Sequence, residues 1–135
     1  GYGSTVRRAA VRAGDTVVVI GAGGIGTAAL QGAALGGAAS VVAVDPVAFK
    51  RDSAVGFGAT HTAATVAEAV ALVRDLTRGV MADAVVVSPS MIDDGDVADA
   101  LSLTRKGGTC VLTGMAAPSA GAVSSGIWLS TLPLR

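Results

Sequence analysis

Apolar runs alternate with segments of helical composition along most of the chain. Five short runs rich in β-branched residues predict buried strands at 16–20, 40–44, 60–62, 84–87 and 109–113. The intervening segments predict helices at about 24–35, 47–55, 66–78 and 96–104. Strands and helices that alternate at these lengths suit right-handed crossover connections. The sequence therefore predicts an α/β fold with a doubly wound parallel sheet.

The two ends of the chain are less regular than its middle. Ser4 is placed to cap a short helix that runs to about Ala13, just before the first strand. Beyond Pro118 the periodic pattern dissolves into Ser, Gly and Ala with scattered apolar residues. We therefore predict one domain over residues 1–119, incomplete at the C-terminal edge of its sheet, and an irregular tail of uncertain structure over 120–135.

Closely spaced glycines follow the first predicted strand directly. Gly21, Gly23 and Gly26 have the spacing G-x-G-x-x-G, and the residues after Gly24 favour a helix. Each glycine has a separate task in such a loop: a tight turn, close approach of backbone to a diphosphate, and close packing of helix on strand. The free N–H groups and positive dipole end of the helix then face the anion. The motif predicts a Rossmann-type dinucleotide-binding fold.

The carboxyl ends of the other strands complete the predicted site, because ligands of open parallel sheets bind beyond those ends. Asp45 ends the second strand and is placed to accept hydrogen bonds from the adenosine ribose, with Lys50 nearby. The carboxylate favours NAD over NADP, although Lys50 and Arg51 are cations that a 2′-phosphate could use. Ser88 and Pro89 are expected on the adenine side. Thr113, Gly114 and Met115 are expected on the nicotinamide side.

Composition restricts the partners. Ten basic and ten acidic residues give zero formal net charge, and the basic residues are scattered, so we expect no nucleic acid partner. No apolar run is long enough to cross a membrane, no signal peptide opens the chain, and Cys110 is alone. We therefore expect a cytoplasmic protein. Charged residues are only 15% and apolar ones 51%, which suggests an apolar surface covered by another domain or subunit.

These features together resemble the cofactor-binding domain of the zinc-containing medium-chain alcohol dehydrogenases. The resemblance covers nearly the whole chain and depends on motifs in a shared order, which are Gly1-Tyr2-Gly3-Ser4, Ala13-Gly14-Asp15, the doubled glycine in Gly21-Ala22-Gly23-Gly24-Ile25-Gly26, Asp45 with Lys50, Gly58-Ala59-Thr60, and Lys106-Gly107-Gly108. In that family the residue matching Ile25 lies close to the dinucleotide. The candidate cofactor-binding residues are thus Gly21, Gly23, Gly24, Ile25, Gly26, Asp45, Lys50, Ser88, Thr113, Gly114 and Met115.

The resemblance implies NAD as cofactor and hydride exchange with an alcohol or aldehyde that a catalytic zinc polarises. The family's zinc ligands lie in a separate substrate domain, and the candidates in this sequence, Cys110 and His61, fall on different elements. We therefore predict no catalytic or metal-binding residue here and expect zinc only in the substrate domain. The isolated chain is expected to be inactive, and the complete protein is expected to be a homo-oligomeric NAD-dependent alcohol dehydrogenase.

Two other functions fit the glycine loop. The chain is alternatively a stand-alone module that binds or senses dinucleotide without catalysis. A loop that serves a flavin or a methyl donor fits less well, because Lys50 and the later strand ends also match the dehydrogenase pattern. Cysteines and histidines at zinc-ligand spacing in sequence preceding Gly1 would favour the enzyme over the module.

Overall fold

The computed structural model describes residues 3, 7–88, 91–92, 94–116 and 126–133. Along the chain, its elements are β1 (Thr16–Ile20), α1 (Gly24–Leu35), β2 (Ser40–Val44), α2 (Ala48–Gly56), β3 (His61–Ala63), α3 (Val66–Thr77), β4 (Ala82–Val87), β5 (Met91–Ile92), α4 (Asp94–Leu103), β6 (Thr104–Ala116) and β7 (Gly126–Pro133). The five predicted strands and the four helices predicted after β1 are all present among them.

The strands form one sheet in the order β3-β2-β1-β4-β6-β5, and each neighbouring pair in that order is parallel. The order reverses at β1, where the chain moves from one half of the sheet to the other. The carboxyl ends of β1, β2 and β4 therefore meet at the same edge, and this edge is where a doubly wound sheet binds its ligands. The predicted fold class is confirmed.

Two apolar layers cover the faces of the sheet. Strand residues alternate between the faces, so Val17 and Val19 pack with Leu30 of α1, whereas Val18 and Val42 pack with Val73 of α3. Helices α1 and α2 contribute to the first layer, and α3 and α4 contribute to the second. Central strands buried on both faces explain the continuous valine runs of the sequence.

Cys110 belongs to the second layer and is fully buried. Burial raises the pKa of this thiol to about 11, because the charged thiolate is poorly solvated there. The side chain therefore remains a neutral, small core residue at ordinary pH, as its apolar surroundings in the sequence predict.

Both ends of the chain differ from the sequence-based prediction. Residues 9–13 are not helical; Ala10 has a φ of 51° and a turn joins the N–H of Asp15 to the carbonyl of Arg12. The proposed cap Ser4 lies outside the described residues. In the segment predicted as an irregular tail, β7 pairs antiparallel with β6 from Thr109↔Pro133 to Ala116↔Gly126.

Strand β6 is also longer than predicted. It does not end at Thr113 but continues to Ala116, because β7 and β5 provide pairing partners for that extension. At its start, the predicted Lys106-Gly107-Gly108 turn forms an irregularity in the pairing with β4, between Thr104 and Thr109. Arg105 in this irregularity makes an ion pair with Asp83 of β4, with Nε and Oδ1 2.7 Å apart.

Candidate functional site: a glycine loop at the carboxyl edge of the sheet

The glycine loop joins the end of β1 to the start of α1 and turns back against its own helix. Gly21 has a φ of +94°, a conformation that residues with a Cβ rarely adopt. A Cβ added to Gly26 would lie 1.8 Å from the carbonyl oxygen of Gly21. The first and last glycines of the motif therefore allow the turn and the close packing of helix on loop, as the spacing predicts.

The N-terminus of α1 carries no protein cap. Gly23 is the N-cap residue without a side-chain hydrogen bond, and the first turn contains no acidic residue. A Cβ added to Gly23 or Gly24 would meet no protein atom within 4 Å. The first turn of a helix has N–H groups without intrahelical partners and the positive end of the dipole. This open, uncapped turn fits the diphosphate of a dinucleotide.

Asp45 lies directly beside the loop, at the carboxyl end of β2, and is only 6% exposed. Its Oδ2 accepts the N–H of Ala22 at 2.9 Å, and its Oδ1 accepts the N–H of Val47 at 2.9 Å. The carboxylate thus holds the glycine loop as well as its own strand end. A carboxylate has about four acceptor positions, so capacity remains for ribose hydroxyls.

Ser88 follows β4 on the other side of β1, and its hydroxyl also contacts the loop. Its Oγ is 3.0 Å from the carbonyl oxygen of Gly21 and 3.1 Å from that of Ile20. Its N–H donates to the carbonyl of Ile20 at 2.8 Å. Ser88 is therefore brought to the glycine loop, whereas Pro89, which was predicted beside it, lies outside the described residues.

A cleft of about 480 Å³ opens at this edge of the sheet. Of the candidate residues, Gly21, Gly23, Asp45, Lys50 and Ser88 line it. The lining also includes residues not predicted from the sequence, which are Ile20, Val44, Pro46, Val47, Ala64, Thr65, Val66 and Asp96. Most of these additional residues directly follow β2 or β3, so the position of strand ends was the signal that could have identified them.

The two cations near Asp45 are placed differently. Lys50 of α2 lines the cleft. Arg51 instead folds back on the chain, where its Nη1 donates to the carbonyls of Asp45 and Pro46 at 2.8 and 2.9 Å. Of these two side chains, Lys50 is therefore the one that faces the cleft.

The remaining candidates belong to α1 and β6. Ile25 is on the first turn of α1 and is 48% exposed. Gly24 and Gly26 belong to the same turn. Thr113 is buried in β6, where its Oγ1 donates to the carbonyl of Val87 at 3.1 Å. Gly114 and Met115 follow it within β6 and pair with β7, beyond the point where β4 ends.

The part of the chain that the structure describes contains no group of three His, Cys, Asp or Glu side chains that could hold a metal ion. His61 shares a hydrogen bond between its Nδ1 and the Oγ1 of Thr60 at 2.8 Å. Three strands of the sheet lie between β3, which contains His61, and β6, which contains the buried Cys110. None of the described helices is both long enough and apolar enough to cross a bilayer.

The chain is similar to known alcohol dehydrogenases. The family model described as zinc-binding dehydrogenase matches residues 24–133. The NDMA-dependent alcohol dehydrogenase of Amycolatopsis methanolica is 52% identical over 118 residues, which cover 87% of this chain and 32% of that protein. Alcohol dehydrogenase B of Mycobacterium tuberculosis H37Rv is 50% identical over 113 residues, which cover 84% of this chain and 30% of that protein.

Solved structures agree with the sequence relatives. Alcohol dehydrogenase TADH from Thermus sp. ATN1 superposes with a TM-score of 0.77 at 29% identity, covering 87% of this chain and 34% of that one. The chain thus spans about a third of the length of the relatives it matches. The glycine loop, the sheet order and these matches agree, and the chain belongs to the zinc-containing medium-chain alcohol dehydrogenase family, in which it corresponds to the dinucleotide-binding half.

Proposed function

We propose that this chain binds NAD as the cofactor domain of an NAD-dependent alcohol dehydrogenase. The observation that carries the proposal is the uncapped first turn of α1, open at Gly23 and Gly24, beside a buried carboxylate at the end of β2. The diphosphate would lie against that turn and the adenosine ribose against Asp45. When bound, NAD supplies the acceptor for a hydride from the alcohol.

The described residues supply binding and orientation rather than chemistry. In this proposal Gly21 to Gly26 hold the diphosphate, Lys50 faces the ribose across the cleft, and the segment Thr113 to Met115 lies toward the nicotinamide. The residues that bind the catalytic zinc belong to the substrate domain of the family and are not assigned to this chain. Oxidation of an alcohol would require that domain.

Asp45 is the basis for proposing NAD rather than NADP. A carboxylate about 4 Å from a singly charged 2′-phosphate repels it by roughly 1 kcal/mol in water and about 4 kcal/mol at an effective dielectric constant near 20. This range corresponds to roughly fivefold to several hundredfold weaker binding. One nitrogen of Arg51 already donates hydrogen bonds to the carbonyls of Asp45 and Pro46, so it is engaged within the protein.

Calorimetric titration of the chain with NAD, NADH and NADP tests the proposal. We expect binding of NAD and NADH and weaker binding of NADP, and Asp45→Ser should narrow that difference because it removes the charge. The matched control is Asp75→Ser, which removes a carboxylate near the end of α3 at the opposite edge of the sheet. Equal affinities of the wild-type chain for NAD and NADP would contradict the specificity, and no binding of either would contradict the function.

A further inference from the structure

Ser88 has a polar side chain that is buried at the carboxyl edge of the sheet, directly after β4. It is 8% exposed, and its hydroxyl points toward the carbonyl oxygens of two consecutive residues, Ile20 and Gly21, at 3.1 and 3.0 Å. Both acceptors are main-chain atoms at the junction of β1 and the glycine loop. The Ile20 carbonyl already accepts the Ser88 N–H at 2.8 Å, so the Gly21 carbonyl is the partner for which the hydroxyl matters most.

The Gly21 carbonyl is the part of the loop on which α1 rests. Its oxygen is the protein atom nearest to the position that a Cβ on Gly26 would occupy, at 1.8 Å. The Oγ of Ser88 lies 3.0 Å from the same position. Rotation of the Gly21 carbonyl would therefore move the first turn of α1. The hydroxyl of Ser88 opposes that rotation from the side of β4.

The β2 side of the loop is held in a complementary way. The N–H of Gly21 donates to the carbonyl of Val44 at 2.8 Å, and the N–H of Ala22 donates to Asp45 Oδ2 at 2.9 Å. The N–H groups of Gly21 and Ala22 are thus held from the β2 side, and the carbonyl of Gly21 is held by Ser88 from the β4 side. A loop fixed before the ligand arrives loses less conformational freedom on binding.

We infer that Ser88 is a positioning residue, whose hydroxyl holds the Gly21 carbonyl so that the first turn of α1 is preformed for a diphosphate. This role rests on the proposed function and differs from the adenine contact that the sequence suggests for Ser88. A positioning role predicts that removal of the hydroxyl weakens the binding of ligands that contain the diphosphate and leaves the affinity for adenosine alone unchanged.

The test compares Ser88→Ala, Ser88→Thr and Ser88→Val with the wild-type chain in titrations with NADH, ADP-ribose and adenosine. Thr and Val add the same bulk beside Gly26, so their difference isolates the hydroxyl even if the alanine variant is too unstable to titrate. Loss of one hydrogen bond should weaken NADH and ADP-ribose binding about threefold to tenfold in Ala and Val, and Thr should bind more tightly than Val. Adenosine affinity should not change.

Two outcomes would overturn the inference while leaving the proposed function intact. In the first, Thr and Val bind NADH equally, which would mean that the hydroxyl does not position the loop. In the second, adenosine and NADH lose affinity in parallel, which would mean that Ser88 contacts the adenosine itself. A wild-type chain that binds neither NADH nor ADP-ribose would instead overturn the proposed function, and this inference with it.

Discussion

Gly23 and Gly26 are both required by the motif, but the structure gives them opposite surroundings. A Cβ on Gly23 meets no protein atom within 4 Å, whereas one on Gly26 would lie 1.8 Å from the Gly21 carbonyl. The third glycine of the motif is therefore a requirement of folding, and the second is open toward the cleft. Substitutions at the two positions should have separable effects on stability and binding.

For Gly26→Ala we expect a loss of stability of at least about 1–3 kcal/mol, because the added methyl group overpacks a rigid backbone contact. Chemical denaturation of the chain measures it. Gly56→Ala is the matched control, since a Cβ there meets nothing within 4 Å and the residue ends α2. Equal stability of Gly26→Ala and the control would mean that the helix does not pack this closely on the loop.

For individual residues of the candidate site, the sequence predicts which residue types are present better than it predicts their contacts. The glycine spacing and Asp45 could be read from the chain, and the cleft contains Gly21, Gly23 and Asp45. The bond of Asp45 to Ala22 and that of Ser88 to Gly21 could not, because the partners are 23 and 67 residues apart. Such contacts depend on which strands are neighbours, and periodicity alone does not give strand order.

Among the elements, α1 and α2 both begin without a capping side chain. Helix α3 shows the ordinary arrangement: Thr65 accepts the N–H of Glu68 at 3.2 Å, and Glu68 accepts the N–H of Ala64 at 2.9 Å. Thr65 and Glu68 have the spacing of a capping box, although Glu68 accepts the N–H of the residue before the N-cap. An uncapped start is therefore not by itself a sign of a ligand; α1 differs from α2 in following the glycine loop, where a Cβ added to Gly23 or Gly24 would meet no protein atom within 4 Å.

A carboxylate placed on the first turn of α1 should stabilise the helix and weaken dinucleotide binding. We expect Ile25→Glu to be about 0.3–1 kcal/mol more stable than Ile25→Gln, because the charge complements the dipole. The same charge should weaken NADH binding at least about fivefold relative to Gln by repelling the diphosphate. Thermal melting and titration of the two nearly isosteric variants provide the measurement.

Leu35→Glu is the control at the opposite end of the same helix, where the side chain is 77% exposed. Its charge lies at the negative end of the helix dipole and should destabilise the helix by about 0.3–1 kcal/mol. NADH affinity should not change, because this charge is far from the first turn of α1. Equal weakening of NADH binding by Glu at positions 25 and 35 would mean that the diphosphate does not lie at the N-terminus of α1.

Helices and strands with a clear pattern of apolar residues were predictable from the sequence, and the structure at the two chain ends was not. Strands β1 and β2 have their predicted bounds because buried valine runs permit little else. Strand β7 was missed because an edge strand needs only a partner with free hydrogen-bonding groups, which β6 supplies. The helix expected before β1 is absent over residues 9–13. The side chain of Asp15 there accepts the N–H of Arg12 in a turn.

For the whole molecule, exposed apolar side chains agree with the low charge content. Leu35 and Phe49 are each 77% exposed, and Val55 is 59% exposed. We propose that the substrate domain or a second subunit covers part of this surface in the complete protein. Light scattering of the isolated chain should show self-association that Phe49→Lys and Val55→Lys reduce. A monomer at every concentration would remove the basis for the proposal.

The central claim is that the uncapped first turn of α1 holds the diphosphate of NAD. Calorimetric titration of Gly23→Val with NADH tests it most directly, because a Cβ at this position meets no protein atom within 4 Å and the added side chain would occupy the place of the ligand. We expect binding to be abolished while the melting temperature stays within a few degrees of the wild type, and Gly56→Val to bind normally. A folded Gly23→Val chain that binds NADH with wild-type affinity would contradict the claim.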